Sequence, residues 1–149
     1  MPAPPVVSPW PLTKVGHKRH PVHTVQYLLR ANDHPVVVDG VFGPACEKAV
    51  RTFQESKRIA VDGVVGPKTW VALIIQVAQG SRGEAVRGVQ EEFNLRQLAG
   101  TSIGLTADGV FGPETDAAVR AFQGTLGLTV DGIVGALTWR ALVSGMLLS

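Results

Sequence analysis

Asp39-Gly40-Val41-Phe42-Gly43-Pro44 and Asp108-Gly109-Val110-Phe111-Gly112-Pro113 are the same run met twice in one chain. Self-similarity of this kind decides architecture before any local propensity does. The register holds downstream without a gap. Ala49-Val50-Arg51 meets Ala118-Val119-Arg120, Phe53-Gln54 meets Phe122-Gln123, and Val61-Asp62-Gly63 meets Val130-Asp131-Gly132. Thr69-Trp70 with Ala72-Leu73 then meets Thr138-Trp139 with Ala141-Leu142. Upstream, Gly16 corresponds to Gly80, and Val22, Val25 and Gln26 correspond to Val86, Val89 and Gln90. The second unit carries extra residues at 98–104, which a loop absorbs most easily. Each unit also echoes itself, because the Asp-Gly-x-x-Gly run at Asp39 returns at Asp62 and that at Asp108 returns at Asp131.

Between these runs the apolar residues recur at helical spacing. Val22, Val25, Leu28 and Leu29 make one stripe, matched by Val86, Val89 and Phe93. A second helix is expected after Gly43, with Pro44 at its first position, where a missing N–H costs nothing. It presents Ala49, Val50 and Phe53 on one face. Arg58-Ile59 and Gly127-Leu128 supply the stop of the second helix in each unit and a packing contact. A third helix begins at Pro67 or Ala136 and presents Trp70, Leu73 and Ile74, or Trp139, Leu142 and Val143. The reading is all-α: a Pro-rich segment over residues 1–13, one three-helix module over 14–76 and another over 77–149, each with its own small core. The short stretch at 76–81 is the expected linker, which predicts that the modules pack as a fixed pair.

Asp before Gly favours a tight turn, because the carboxylate accepts backbone N–H groups ahead of it and Gly tolerates positive φ. The second Gly is expected to let the chain bend into the next helix. Calcium is excluded, since each run offers one carboxylate where six to eight oxygens are needed. Trp70, Trp139, Phe53 and Phe122 read as core. Phe42 and Phe111 lie inside the runs and read as half-exposed. Gln26, Gln54, Gln90 and Gln123 read either as solvated helix edges or as amides offered to a ligand. Arg51 and Arg120 read either as partners of a ligand carboxylate or as partners of a local acid.

The formal charge is +2 and acidic residues are interspersed with basic ones, which is not the basic stripe of a nucleic-acid binder. Cys46 is the only cysteine, so there is no disulfide and no thiol-held metal. The N-terminal stretch lacks the n- and h-regions of a signal peptide, and no apolar run is long enough to cross a bilayer. His17, His20, His23 and His34 all lie in the first unit, without an acidic ligand at zinc spacing. Cys46 stands where the second unit has Thr115 and reads as a small filler rather than a nucleophile. No carboxylate pair is singled out for hydrolysis. No cofactor, metal or catalytic residue is expected.

The ordered string from Val22, Val25 and Gln26, through Asp-Gly-Val-Phe-Gly-Pro and Ala-Val-x-x-Phe-Gln, to Val-Asp-Gly and Thr-Trp-x-Ala-Leu resembles the peptidoglycan-binding domain family. That family is the type appended to bacterial cell-wall hydrolases and spore-cortex enzymes. The second unit fits nearly throughout; the first departs at Cys46 and at Lys57-Arg58-Ile59. The resemblance implies a compact three-helix module that attaches without covalent chemistry to wall glycan strands or stem peptides. It also implies a groove beside the Asp-Gly runs and the first helix. That places Gln26, Asp39, Phe42 and Gly43 at the site in the first module, and Gln90, Asp108, Phe111, Gly112 and Thr115 in the second.

Two linked modules on one polymer gain avidity of roughly 10²–10⁴ without new contacts. The expected partner is therefore peptidoglycan, with a separate hydrolase or a phage-like particle protein beside it, and neither nucleic acid nor membrane. The expected place of action is the bacterial cell wall. The competing reading is a structural or adaptor protein that uses the same fold for protein contacts, for example in a phage-tail-like particle.

Overall fold

The computed structural model describes residues 6–96 and 104–148. Among the described residues six helices follow one another: α1 (Val22–Ala31), α2 (Pro44–Ser56), α3 (Pro67–Leu73), α4 (Glu84–Asn94), α5 (Pro113–Thr125) and α6 (Ala136–Val143). Among the described residues there is no strand, so the all-α reading holds. Most of the insertion at 98–104 lies outside the described residues.

The helix limits follow from local chemistry. Pro44, Pro67 and Pro113 each open a helix directly after a glycine, where a missing N–H costs nothing and φ is already set. α2 and α5 stop as expected. Arg58 and Gly127 turn to positive φ (57° and 72°). The next residues then bond back, Ile59 N–H to Gln54 at 3.1 Å and Leu128 N–H to Gln123 at 2.9 Å. This six-to-one closure satisfies a carbonyl that the helix end would leave unpaired.

Trp70 and Trp139 are fully buried, and each indole N–H finds a carbonyl on the segment that enters its module. Trp70 Nε1 donates to Pro11 O and Trp139 Nε1 to Ile75 O, both at 2.8 Å. The same segments pair with the turn at the far end of the module, Thr13 with Val65 and Val77 with Val134. Gly80 N–H also bonds Phe111 O at 2.9 Å. The stretch at 76–81, expected as a linker, is therefore built into the second module. Trp10 does not stand free either: its ring stacks on Trp70 at 5.9 Å between centroids.

The expectation of a separate core in each module is corrected, because the buried apolar residues of both form one continuous cluster. α1 packs on α4. Gly88 lies against Tyr27, and a Cβ placed there would meet the Tyr27 Cβ at 3.4 Å. Beside this crossing sits a polar cluster centred on Glu92, which is 1% exposed. Thr24 Oγ1 donates to Glu92 Oε2 at 2.6 Å, His20 Nε2 lies 2.9 Å from Oε1, and Arg96 Nη1 donates to Oε1 at 2.8 Å. Arg96 also donates to the carbonyls of Glu92, Leu142 and Met146. Arg30 and Glu84 add a rim pair at 2.7 Å. The modules thus share a core and a buried contact, in which Thr24 and His20 of the first meet Glu92 of the second, as a fixed pair would.

Candidate functional site

All four Asp-Gly runs form one structure. Asp39, Asp62, Asp108 and Asp131 each accept, on Oδ1, the N–H two residues ahead at 2.9–3.0 Å. The following glycine takes a φ of 72–76° at Gly40, Gly63, Gly109 and Gly132. A side chain is excluded there twice over: the backbone is left-handed, and a Cβ on Gly109 would lie 3.1 Å from the Gly83 carbonyl oxygen. His23, Arg51, Arg87 and Arg120 lie over these glycines in the four turns.

A glutamine from the preceding helix locks each turn. In the second module Gln90 Oε1 accepts the Gly109 N–H at 3.0 Å. Its Nε2 donates to Asp108 Oδ1, Val110 O and Thr115 Oγ1 at 3.2, 3.0 and 3.1 Å. Gln54 with Thr69, and Gln123 with Thr138, repeat the pattern. Gln26 does the same for Asp39, Gly40 and Val41, but meets Cys46 where the others meet threonine. Burial pushes the Cys46 thiol up to about 11, which keeps it protonated and unreactive at neutral pH. Thr115 is therefore more than a filler, since its hydroxyl closes a network that Cys46 leaves with a thiol.

The electrostatics follow from this geometry. The backbone N–H of Val41, and after it the Gln26 amide, holds the Asp39 carboxyl below the usual aspartate value. Val64 with Gln54 does the same for Asp62, and Val110 with Gln90 for Asp108. Hydrogen bonds to the ionised form favour it.

The residues assigned by resemblance divide into two groups. Asp39 and Asp108 are exposed, and Gly43 and Gly112 are half-buried. Gln26, Gln90, Phe42, Phe111 and Thr115 are at most 3% exposed. The expectation that Phe42 and Phe111 are half-exposed is corrected: their backbones pair with His17 and Gly16, or Ser81 and Gly80, and their rings turn into the core. The glutamines are neither solvated edges nor free amides, for their polar atoms are spent on the turn. Arg120 pairs with Asp116 at 3.0 Å and Arg51 with Glu47 at 3.9 Å, the local alternative.

Gly43 and Gly112 are not the bend they were expected to be. Their φ values of −101° and −99° suit any residue, and nothing lies within 4 Å of a Cβ placed on either. What they leave is space where a side chain would stand at the start of α2 and α5. Beside Asp108 this opens a hollow of about 300 Å³, lined by Leu105, Thr106, Asp108, Val110, Gly112 and Glu114. Polar groups converge there on an apolar wall, as in small-ligand sites. Leu105, Thr106 and Glu114 lie outside the run that both modules share and Val110 inside it, and none is among the residues that the resemblance assigns.

Comparison with known proteins places this arrangement. A family model described as "Putative peptidoglycan binding domain" matches residues 18–73 and again 82–142. A zinc D-Ala-D-Ala carboxypeptidase of Streptomyces albus G is 39% identical over 98 residues, covering 66% of this chain and 36% of that protein. The N-acetylmuramoyl-L-alanine amidase CwlM of Mycobacterium tuberculosis is 34% identical over 114 residues, covering 68% of this chain and 27% of that protein. The crystal structure of the SleB N-terminal domain is 35% identical, covering 46% of this chain and 93% of that one, with a TM-score of 0.42. The matched region spans about a third or less of the length of the carboxypeptidase and the amidase.

Proposed function

From a chain that belongs to the peptidoglycan-binding domain family in both of its modules, we propose a non-catalytic binder of bacterial cell-wall peptidoglycan. The observation that carries the reading is the family match over both modules. The hollow beside Asp108 supplies a place for the ligand: Asp108 and Thr106 offer polar contacts, and Leu105 and Val110 offer an apolar wall. Asp39, exposed, and Gly43, half-buried, are the matching groups of the first module. The buried Gln26, Phe42, Gln90, Phe111 and Thr115 act behind this surface, by fixing the turn that shapes it.

The relatives are named as wall hydrolases. On this reading the chain supplies attachment at the wall, and the chemistry belongs to a hydrolase domain or partner. Among the described residues no helix is long and apolar enough to cross a membrane.

Sedimentation with purified insoluble peptidoglycan at moderate salt tests the proposal. The protein is expected in the pellet, and dye-labelled wall is expected to release no dye on incubation with it. Full recovery in the supernatant overturns the binding reading; dye release overturns the non-catalytic one.

A further inference from the structure

The hollow beside Asp108 has counterparts at Asp131 and, in the first module, at Asp62, where Ile59 and Ala60 take the places of Leu105 and Thr106. Beside Asp131, on the other side of the internal repeat, lies a hollow of about 340 Å³ lined by Leu128, Thr129, Asp131, Ile133, Gly135 and Leu137. Taken in order, these occupy the places of Leu105, Thr106, Asp108, Val110, Gly112 and Glu114. The likeness extends to the residues themselves. Leu105-Thr106-Ala107-Asp108-Gly109 and Leu128-Thr129-Val130-Asp131-Gly132 share leucine, threonine, aspartate and glycine. Thr106 and Thr129 are both exposed, and neither is needed by the turn, whose locking threonines are the buried Thr115 and Thr138. In the first module the same places hold Val37 and Ala60, so the exposed hydroxyl belongs to the second module alone, and to both of its turns.

We infer that the second module carries two equivalent ligand sites, one at Asp108 and one at Asp131, each taking a methyl-bearing secondary amide. The leucine and the Val110 or Ile133 side chain receive the methyl group. The threonine hydroxyl, which both donates and accepts, pairs with the amide. At Asp131 the exposed Gln76 lines the hollow as a second amide partner. Leu137 stands where Glu114 stands in the other hollow, so the Asp131 site favours the less polar ligand. Both hollows sit at or slightly above the lower end of the volumes usual for small-ligand sites. This inference rests on the wall-binding reading. Within that polymer, the amide has two sources: the N-acetyl group of the sugars and the alanine residues of the stem.

The test is an amide-resolved NMR titration of the intact chain with two probes used separately, a peptide-free disaccharide of the N-acetylated wall sugars and a sugar-free stem peptide. The expected result is that one probe moves the signals around Thr106 and those around Thr129 together; which probe does so names the source. Thr129→Val, which removes the hydroxyl and keeps the side chain's shape, should weaken binding at the Asp131 hollow by about fivefold, the worth of one hydrogen bond, and leave the Asp108 hollow as it was. Thr106→Val should do the reverse. A response confined to the Asp108 hollow overturns the second site and leaves the wall-binding reading standing. A response at neither hollow overturns the inference, and sedimentation with whole wall then tells whether binding itself survives.

Discussion

Gln90 and Glu92 stand two residues apart on α4, both buried, and they do opposite work. Gln90 faces its own module and spends its amide on the Asp108 turn. Glu92 faces the other module, taking Thr24 and His20 from it and Arg96 from its own. The glutamine has three counterparts, Gln26, Gln54 and Gln123, in the same role. The glutamate has none, since its place in the first module is held by the fully buried Leu28. Arg96 likewise stands where the first module has Asn32, whose amide caps the carbonyls of Leu28 and Leu73. Arg96 caps Glu92 and Leu142 in the same way. A device that builds a module is repeated; a device that joins two modules occurs once.

The comparison breaks most violently at Glu92. Glu92→Ala leaves the Arg96 guanidinium buried without its counter-charge, and removing one member of a buried pair costs about 3–5 kcal/mol. Urea unfolding should register that loss. The double substitution Glu92→Leu with Arg96→Asn installs the pair found in the first module, and should regain most of it, less what the stranded Thr24 hydroxyl gives up. If the single substitution costs under about 1 kcal/mol, the buried cluster around Glu92 is not what holds the seam.

Gln90→Ala is the second test and should cost less, about 1–3 kcal/mol, because the turn keeps its Asp108–Val110 bond while losing its buried amide partner. The loss should be confined to the second module. Amide exchange would then quicken around Gly109 and Thr115 while Gly40 and Cys46 keep their protection, whereas loss of Glu92 should loosen α1 and α4 together.

Legibility in the sequence follows the same division. The helices, the Gly-Pro starts, the stops at Arg58 and Gly127 and the burial of both tryptophans were readable, because each is repeated and each follows from local chemistry. The role of the glutamines was not, although their fixed spacing from the turns was visible: a helix glutamine is usually solvated, and only tertiary contact shows its amide turned inward. Phe42 and Phe111 were misplaced for a related reason, since a residue in a loop looks exposed until the loop is seen pinned over the core. The seam was invisible. Glu92 and Arg96 break the repeat, and a break in a repeat carries no pattern to read. The flanking Leu-Thr pairs at Leu105 and Leu128 were readable and were passed over, because they agree within the second module and not between modules.

The smallest effect separates the two devices most cleanly. Asp108 is held below the ordinary carboxyl value of 3.8, first by the Val110 N–H and second by the Gln90 amide. A depressed folded value means that the ionised form is favoured in the fold, so its contribution is present above the unfolded value and disappears as pH falls through the folded one. Asp39 and Asp62 act in the same direction. Stability should therefore fall on acidification below about pH 4, near the reference aspartate value, and Asp108→Asn should make that fall shallower. Because the backbone bond is the larger cause, Gln90→Ala should move the NMR-detected Asp108 titration upward without bringing it to 3.8. Glu92→Ala, acting on the seam, should leave that titration where it is. An Asp108 that titrates at its ordinary value in the intact protein would mean that the turn does not hold its carboxylate, and the account of the turns at Asp39, Asp62 and Asp108 would lose its electrostatic support.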